Sequence, residues 1–215
     1  MSKLPVIAID GPAASGKGSI ARRVAAALGF AHLDTGTLYR VVGLAVLRKG
    51  GDPSDPGQAS AAVQSLDLSL LEDPALRAHA TSVAASKVAV IVSVREALLS
   101  FQRNFAAHPP GGRGAVLDGR DIGTVICPDA DVKLFVTATP EVRARRRFLE
   151  LTTNGTLITE AEVLADIRTR DARDSGRAVA PLKQAADAHL LDTSHLDIEA
   201  ATERALQIVR AALRT

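Results

Sequence analysis

Residues 11–19, with the sequence GPAASGKGS, have the composition of a loop that closes round a phosphate. Backbone N–H groups can surround a phosphate only where Cβ atoms do not crowd the turn, and Lys17 would add a positive charge at the β- and γ-oxygens. In the general pattern GxxxxGK[ST] the hydroxyl directly follows the lysine, whereas here Gly18 intervenes and the hydroxyl comes from Ser19. Small residues also gather in ordinary turns, but an apolar run precedes this loop and an amphipathic segment follows it, which is the order that a nucleotide-binding loop requires. The segment predicts binding of a nucleoside triphosphate by Gly11, Pro12, Ala13, Ala14, Ser15, Gly16, Lys17, Gly18 and Ser19.

Two more groups of polar residues follow short apolar segments, at the positions where ligands bind in parallel α/β sheets. In the first group, Thr35 begins a predicted helix and Arg40 lies on its first turns, which suits an anion but also suits a capped helix with a solvated arginine. In the second group, Asp118 could hold a water on Mg²⁺, Arg120 could grip a phosphate and Asp121 could accept from an exocyclic amine. A plain turn also uses Asp and Gly. If the bound triphosphate donates its γ-phosphoryl group, both groups of residues are candidates for holding the molecule that accepts it.

Arginines also form two stripes on predicted helices, at residues 143–147 and 168–177. Positions 143, 146 and 147 share one helix face, as do 170, 173, 174 and 177 if the helix extends that far. Two stripes of like charge repel each other unless an anion lies between them. Asp171 and Asp174 leave open the alternative of surface salt bridges on solvated helices.

The composition narrows the function classes. The chain has 215 residues, a net charge of +2, 47% hydrophobic residues and only 3% aromatic residues, so a platform that stacks single-stranded nucleic acid is not expected. The single cysteine, Cys127, cannot form an internal disulfide, and no apolar run approaches the length of a membrane span. The histidines lack the spacing of a metal cage, so the expected ion is Mg²⁺ carried in with the nucleotide. The first residues show no signal-peptide pattern, and we expect a cytoplasmic protein.

Short apolar segments alternate with helical patterns, which is typical of a parallel sheet wrapped by helices, and an α/β fold of three layers is therefore predicted. The predicted strands are Val6 to Ile9, His32-Leu33, Ala115 to Leu117, Val132 to Val136 and His189 to Leu191. The predicted helices are residues 17–28, 37–48, about 95–106, 140–152, 159–175 and 197–213. Residues 50–86 interrupt this alternation with turn-rich sequence, and Leu66, Leu68 and Leu70 alternate with polar residues, so we expect an inserted subdomain containing a small antiparallel sheet. Val88 to Val94 fits either a strand or a helix, and we favour a helix there.

Taken together, five motifs resemble those of bacterial cytidylate kinases, and the match extends along nearly the whole chain. The motifs are GKGS at 16–19, DTGTLYR at 34–40, Ser86 with VREAL at 94–98, DGRDIGT at 118–124, and RDARDSGRAVAPL at 170–182. The resemblance implies a P-loop nucleoside monophosphate kinase fold with a five-stranded parallel sheet, a core formed by residues 1–49 and 87–215, a short lid at about 143–155, and an acceptor-side insertion at 50–86. It also implies transfer of a phosphoryl group from ATP, with Mg²⁺, to CMP or dCMP.

The resemblance further implies roles for individual residues. Those implied for the acceptor are Thr35, Arg40, Arg120 and Arg177 on the phosphate, Ser86, Arg95 and Asp121 on cytosine, and Arg170 and Asp174 on the ribose. Catalytic roles are implied for Lys17, Arg120, Arg143, Arg147 and Arg170, and contact with Mg²⁺ for Ser19 and, through water, for Asp118. Thr35 departs from the family, where a serine is expected; the hydroxyl remains but a methyl group is added.

Physical chemistry agrees with these implied roles. Cytosine presents an amine where uracil presents a carbonyl, so a carboxylate at Asp121 would favour cytosine. Phosphoryl transfer needs positioning and positive charge more than a general base, and closure of the lid with both nucleotides bound would keep water from replacing the acceptor. We expect a monomer that binds ATP and CMP or dCMP, and neither nucleic acid nor a membrane. The alternatives are a P-loop kinase for UMP, GMP or another small molecule, and a nucleotide-dependent switch that captures a protein partner.

Overall fold

A computed structural model describes residues 4–153 and 155–214, so residue 154 of the predicted lid lies outside the described residues, as do the ends of the predicted core. The strands are β1 (Val6–Asp10), β2 (Ala31–Asp34), β3 (Ala115–Gly119), β4 (Val132–Thr137) and β5 (His189–Asp192). The helices are α1 (Lys17–Leu28), α2 (Thr35–Arg48), α3 (Pro56–Gln64), α4 (His79–Val88), α5 (Val92–Ala107), α6 (Pro140–Thr153), α7 (Glu160–Ser175) and α8 (Ile198–Ala212). Short 3₁₀ turns cover Leu68–Glu72 and Pro74–Arg77, and a π-helical turn covers Ile122–Ile126.

The chain divides into two compact units. The first, which we call the loop-bearing unit, consists of Met1–Leu33 and Phe105–Thr215. The second, which we call the helical unit, consists of Asp34–Asn104. The insertion predicted at residues 50–86 lies within the helical unit.

Within the described residues the strands form one five-stranded sheet in the order β2-β3-β1-β4-β5. β1 is central and runs parallel to β3 and β4, with Asp10 opposite Gly119 on one side and Phe135 on the other. Every residue of β1 and β3 is buried, which explains why each strand begins with a continuous apolar run; β1 then ends in Asp10, and β3 ends in Asp118 and Gly119. The predicted five-stranded parallel sheet is confirmed.

One hydrophobic cluster holds the loop-bearing unit together. Ile7 and Ile9 of β1 pack with Ile20 and Val24 of α1, and Val209 of α8 closes the same cluster. These side chains are small or branched because helices cover the buried central strands β1 and β3, and the low aromatic content is consistent with that packing. The cluster fixes α1 against β1 and thereby sets the position of the loop that joins them.

Several helix ends lie where the sequence signals place them. Thr159 caps α7 in a capping box with Glu162, and Gly29 ends α1 in a left-handed conformation. Asp197 caps α8 by accepting from the backbone N–H of Ala200. Such ends are decided by groups only a few residues apart, which is why the sequence predicts them.

In the helical unit, α2 and α4 approach closely because Gly43 has no side chain. A Cβ at this position would lie 2.9 Å from the backbone nitrogen of Ala85 and 3.0 Å from the Cβ of Ala84. Leu38 and Val42 of α2 then pack in one cluster with Val88 of α4. The contact sets α2, which begins at Thr35, against the helix that carries Ser86.

The predicted antiparallel sheet at residues 50–86 is wrong, because the described residues there form helices and turns. Asp67 and Asp73 accept from the backbone N–H groups of Ser69 and Ala75, and these side-chain bonds close tight turns in place of a strand ladder. Leu66 and Leu70 are also four residues apart, a helical spacing that the alternating pattern hides, and both pack on the cluster around Val41 and Leu44.

The segment from Val88 to Val94 is only partly helical. α4 ends at Val88, residues 89–91 form a turn, and α5 begins at Val92. The helix that we favoured is therefore correct at both ends of the segment and wrong in its middle.

Candidate functional site

The glycine-rich loop connects the end of β1 to the start of α1. A Cβ on Gly11 would lie 2.0 Å from the carbonyl oxygen of Val136, so only glycine lets the loop leave the sheet at this point. Gly16 adopts a left-handed conformation directly before α1, and Ala14 has a positive φ of 58°, which is uncommon for a residue with a Cβ. The result is a tightly curled chain in front of the unpaired N–H groups at the helix start.

A cavity of about 720 Å³ lies against this loop. Its lining combines residues 14–19 with Arg146, Arg147 and Glu150 of α6 and with the segment that follows β5. Two polar atoms in the lining residues, Ser15 Oγ and Arg147 Nη2, are buried and make no hydrogen bond within the described part of the chain. A polyphosphate would supply acceptors for both, so the cavity fits the predicted nucleoside triphosphate.

Arg146 and Thr193 hold one wall of this cavity, and the sequence did not single out either as a site residue. Arg146 donates to Thr193 Oγ1 at 3.0 Å and to the Thr193 carbonyl at 2.7 Å. Thr193 Oγ1 lies 3.0 Å from the carbonyl oxygens of Ser15 and Thr137, and its single hydrogen can donate to either of them. Burial lowers the pKa of Arg146 from its usual value. Arg146 shares a helix face with Arg143 and Arg147, and that was the only sequence signal, because the partners lie about fifty residues away.

Lys17, Asp118 and His32 form a second polar group beside the loop. Asp118, the fourth residue of β3, is only 1% exposed, and its Oδ1 lies 3.8 Å from Lys17 Nζ. Its Oδ2 lies 2.9 Å from His32 Nε2, on β2. A Cβ on Gly18 would lie 3.6 Å from Asp118 Oδ1, so the aspartate occupies space beside the position where the general loop pattern carries its hydroxyl. The sequence offered no signal for His32, since a single histidine in an apolar segment is more often a core residue.

Asp10 was also missed by the sequence analysis. It is the last residue of β1 and is buried, and its two carboxylate oxygens accept from the backbone N–H groups of Ile122 at 2.8 Å and Gly123 at 2.7 Å. Burial raises the pKa of Asp10 to about 6; the two hydrogen bonds and Lys17 oppose this effect, and the neighbouring charge of Asp121 adds to it. The carboxylate thus ties the start of the glycine-rich loop to the turn that follows Asp121.

Three arginines surround the buried carboxylate of Asp174 on α7. Arg120 Nε donates to Asp174 Oδ2 at 3.0 Å, Arg177 donates to Oδ1, and Arg170 Nε lies 3.8 Å from Oδ2. Burial alone would raise the pKa of Asp174, but the three guanidinium groups outweigh it and the pKa lies below its usual value. Residues from the turn after β3, from α7 and from the segment beyond it are therefore brought together around one carboxylate.

The arginines of α6 have mixed surroundings. Arg143 is buried and donates to both carboxylate oxygens of Asp171, at 3.0 and 2.5 Å, and also to the carbonyls of Ala138 and Ala13. Arg147 forms an ion pair with Glu150 at 2.7 Å. Exposed pairs such as Arg145 with Glu160 fit the salt-bridge alternative on that part of the surface. Carboxylates thus separate the two arginine stripes, and Arg143 additionally contacts the backbone of the glycine-rich loop.

The helical unit holds the other four candidate residues. Thr35 is buried at the start of α2, and Arg40 on the same helix donates to the carbonyl of Leu76 at 2.8 Å. Ser86 is buried on α4. Arg95 is buried on α5, where it donates to the carbonyl of Ala89 at 3.3 Å and lies 5.8 Å from the ring centre of Tyr39. Arg40, Tyr39 and Arg95 are therefore held by contacts within this unit.

Two features of the described ranges, 4–153 and 155–214, bear on the type of site. They contain no group of three or more His, Cys, Asp or Glu side chains that could hold a metal ion by themselves. Mg²⁺ that arrives with a nucleotide needs only one or two protein ligands, so the predicted pair Ser19 and Asp118 is compatible with that finding. The same ranges contain no helix with the length and apolarity needed to cross a membrane.

Comparisons with known proteins agree on one family. The family model described as cytidylate kinase matches residues 7–211. A cytidylate kinase from Bradyrhizobium sp. (strain ORS 278) is 58% identical over 206 residues, which cover 96% of each chain. One from Nitrobacter winogradskyi is 60% identical over the same length and coverage.

Solved structures with much lower identity show the fold alone. An uncharacterized protein from Eubacterium ventriosum superposes with a TM-score of 0.55 at 12% identity, covering 96% of this chain and 99% of the other. A gluconokinase from Sinorhizobium meliloti superposes with a TM-score of 0.50 at 13% identity, covering 100% and 97%. The α/β architecture is therefore shared with chains of very different sequence.

Proposed function

The chain belongs to the cytidylate kinase family, and from that premise we propose that it transfers the γ-phosphoryl group of ATP to CMP and dCMP. An oxygen of the acceptor phosphate bonds to the γ-phosphorus, the bond to the oxygen that bridges the β- and γ-phosphorus atoms breaks, and ADP leaves with CDP or dCDP as the second product. The reaction needs no protein nucleophile, so the task of the protein is to align two anions and offset their charge.

The observation that carries this proposal is the arginine cluster on Asp174. Among these four largely buried side chains, three guanidinium groups outnumber one carboxylate, which is a surplus of positive charge. A site with that surplus suits a phosphate monoester dianion. Because it lies outside the cavity at the glycine-rich loop, the loop-bearing unit offers separate places for two phosphorylated ligands.

The donor side uses the curled loop and the residues behind it. Lys17 would contact the β- and γ-phosphate oxygens, while Ser15 and Arg147 would use the polar atoms that make no hydrogen bond among residues 4–153 and 155–214. Ser19 and, through water, Asp118 would hold Mg²⁺, which would neutralise negative charge on the phosphates of ATP. His32 would keep Asp118 oriented through its 2.9 Å contact.

The acceptor side uses Asp121 to recognise the base. Asp121 is buried at the start of the turn after β3, where an ionised carboxylate would accept from the cytosine amine and repel the uracil carbonyl. We further propose that Ser86 and Arg95 of the helical unit contact cytosine, and that Thr35 and Arg40 contact the acceptor phosphate. Arg120 and Arg177 are likewise proposed for the acceptor phosphate, and Arg170 and Asp174 for the ribose.

An acceptor panel tests the function directly. ATP with Mg²⁺ is supplied with CMP, dCMP, UMP or GMP, and formation of each diphosphate is measured. Preference for CMP and dCMP is expected, and equal use of UMP or GMP would refute the assignment of substrate.

The Asp121→Asn variant tests the role of this carboxylate. Its preference for CMP over UMP should be at least tenfold smaller than that of the wild type, while ATP affinity changes little. Asp166→Asn, on the exposed face of α7, is the matched control and should leave the preference intact.

The lid proposal has a separate test. Closure of about residues 143–155 with both nucleotides bound would complete the set of arginines, including Arg143, Arg147 and Arg170, only when an acceptor is present. ATP hydrolysis without an acceptor should therefore be roughly two orders of magnitude slower than transfer to CMP. Comparable rates would refute the proposal that lid closure prevents ATP hydrolysis.

The enzyme is proposed to be a monomer, and sedimentation at the assay concentration checks this.

A further inference from the structure

Asp10 connects the glycine-rich loop with the turn that follows Asp121. It immediately precedes Gly11, the first residue of the glycine-rich loop. It also contacts the turn that follows Asp121, through the backbone N–H groups of Ile122 and Gly123 at 2.8 and 2.7 Å. β1 and β3 are neighbours in the sheet, with Asp10 opposite Gly119, so the carboxylate reaches across from one strand end to the other.

The two hydrogen bonds from Ile122 and Gly123 to Asp10 cap the start of that turn. The first N–H groups of a helical turn have no partner within the turn, and the usual solution is that the side chain of the capping residue accepts from one of them. Asp121 is the capping residue of the turn Ile122–Ile126, yet its side chain makes no capping hydrogen bond. The carboxylate that caps the turn comes instead from Asp10 on the neighbouring strand.

This arrangement is unfavourable for Asp10 itself. Its carboxylate is buried close to the charge of Asp121, and both effects oppose ionisation, as its raised pKa of about 6 records. Asp121 already occupies the capping position, so Asp10 adds a second buried acid for a bond that the capping residue usually supplies. The cap from Asp10 is therefore better explained by its effect on Asp121, whose side chain does not cap the turn.

We propose that Asp10 is a positioning residue for recognition of the acceptor base: by capping the turn from β1, it keeps the carboxylate of Asp121 from serving as the local cap and holds it for the amine of cytosine. This inference rests on the proposed role of Asp121. It assigns to the end of β1 a part in choosing the acceptor, in addition to leading into the donor loop.

The Asp10→Asn variant tests this idea with almost no change in size. An amide presents only one acceptor oxygen, and its NH₂ group would face one of the two N–H donors, so the turn needs another acceptor and Asp121 is the nearest capping group. We expect the ratio of kcat/KM for CMP to that for UMP to fall by about tenfold, mainly through a higher KM for CMP, with KM for ATP changed by less than about threefold. In the double variant with Asp121→Asn the ratio should fall no further than in Asp121→Asn alone.

A matched control exists at the other end of the same strand. Asp131 accepts from the backbone N–H of Val6 at 2.8 Å, so Asp131→Asn makes the same chemical change to a carboxylate that caps β1 away from the turn. It should leave the CMP to UMP ratio unchanged. Should Asp10→Asn fail to fold, Asp10→Ser removes the second acceptor with a smaller side chain and is measured in the same way.

The outcomes separate this inference from the proposed function. If wild type prefers CMP and Asp121→Asn loses that preference, while a folded Asp10 variant keeps it, Asp10 is merely structural and the inference is overturned. If the losses in Asp10→Asn and Asp121→Asn add fully in the double variant, the two residues act independently and it is again overturned. If wild type shows no preference for CMP, the proposed function fails first and the inference fails with it.

Discussion

The buried carboxyl of Asp10 should make the stability of the protein depend on pH in a measurable and unusual direction. Its pKa is raised from 3.8 to about 6 by burial. A group whose pKa is higher in the folded state binds its proton more tightly there, so its contribution to stability is fully present below the unfolded value of 3.8 and is lost as the pH rises through about 6. Removing the carboxyl by Asp10→Asn removes this contribution.

The size of the effect follows from the two pKa values. Between about pH 7.5 and about pH 5 the folded state of wild type takes up most of one proton at Asp10 while the unfolded state takes up almost none. Integrated over that interval, the free energy of unfolding of wild type should rise relative to Asp10→Asn by roughly 1.4 kcal/mol. Other carboxyl groups titrate in both proteins, so the difference between the two proteins isolates the one at position 10.

Urea denaturation at the two pH values measures this difference. Asp174→Asn serves as the contrasting variant: the pKa of Asp174 lies below its usual value, so that carboxyl is ionised in both folded and unfolded states across this window, and its difference from wild type should stay flat. A gap between wild type and Asp10→Asn that changes by less than about 0.3 kcal/mol between the two pH values would refute the reasoning, because no proton would then be taken up on folding at Asp10.

Three further predictions concern the donor side. Thr193→Val should destabilise the protein by about 1 to 3 kcal/mol and raise KM for ATP, because Thr193 Oγ1 serves Arg146 and the carbonyls of Ser15 and Thr137; urea melts and ATP kinetics check this, with Thr193→Ser expected to keep both properties. His32→Phe should lower kcat by about tenfold or more with little change in KM for CMP, since Asp118 would lose its 2.9 Å partner; an unchanged kcat would remove His32 from the proposed site. Ala14→Val should destabilise by about 1 to 2 kcal/mol relative to Ala14→Gly in denaturation, because a β-branched side chain tolerates a positive φ poorly.

The parts of the structure that the sequence predicted well are those governed by neighbours in the chain. The glycine-rich loop lies between a buried strand and an amphipathic helix, and each of these has a signature within about ten residues. The capping box at Thr159 is similar, because Thr159 and Glu162 satisfy each other. Both features are determined by interactions between residues close in the chain, without tertiary contacts.

The errors and omissions have the opposite cause. Leu66 and Leu70 fit a strand and a helix equally well, and the capping bonds of Asp67 and Asp73 together with packing on Val41 decided for turns. Asp10 and His32 were passed over because their partners, Ile122 and Asp118, lie more than eighty residues away. A buried carboxylate looks the same as an exposed one when only the chain is read.

Outside residues 50–91, the sequence by itself determined the order of strands and helices, together with the glycine-rich loop and the residue types that can meet a nucleotide, because turn geometry and hydrophobic periodicity are local properties. The tertiary structure alone decided which charges meet: Asp174 with its arginines, Asp118 with His32 and Lys17, and Asp10 with the turn after Asp121. Those pairings depend on which strand ends lie side by side in the sheet, and burial then sets the electrostatic energy of each group.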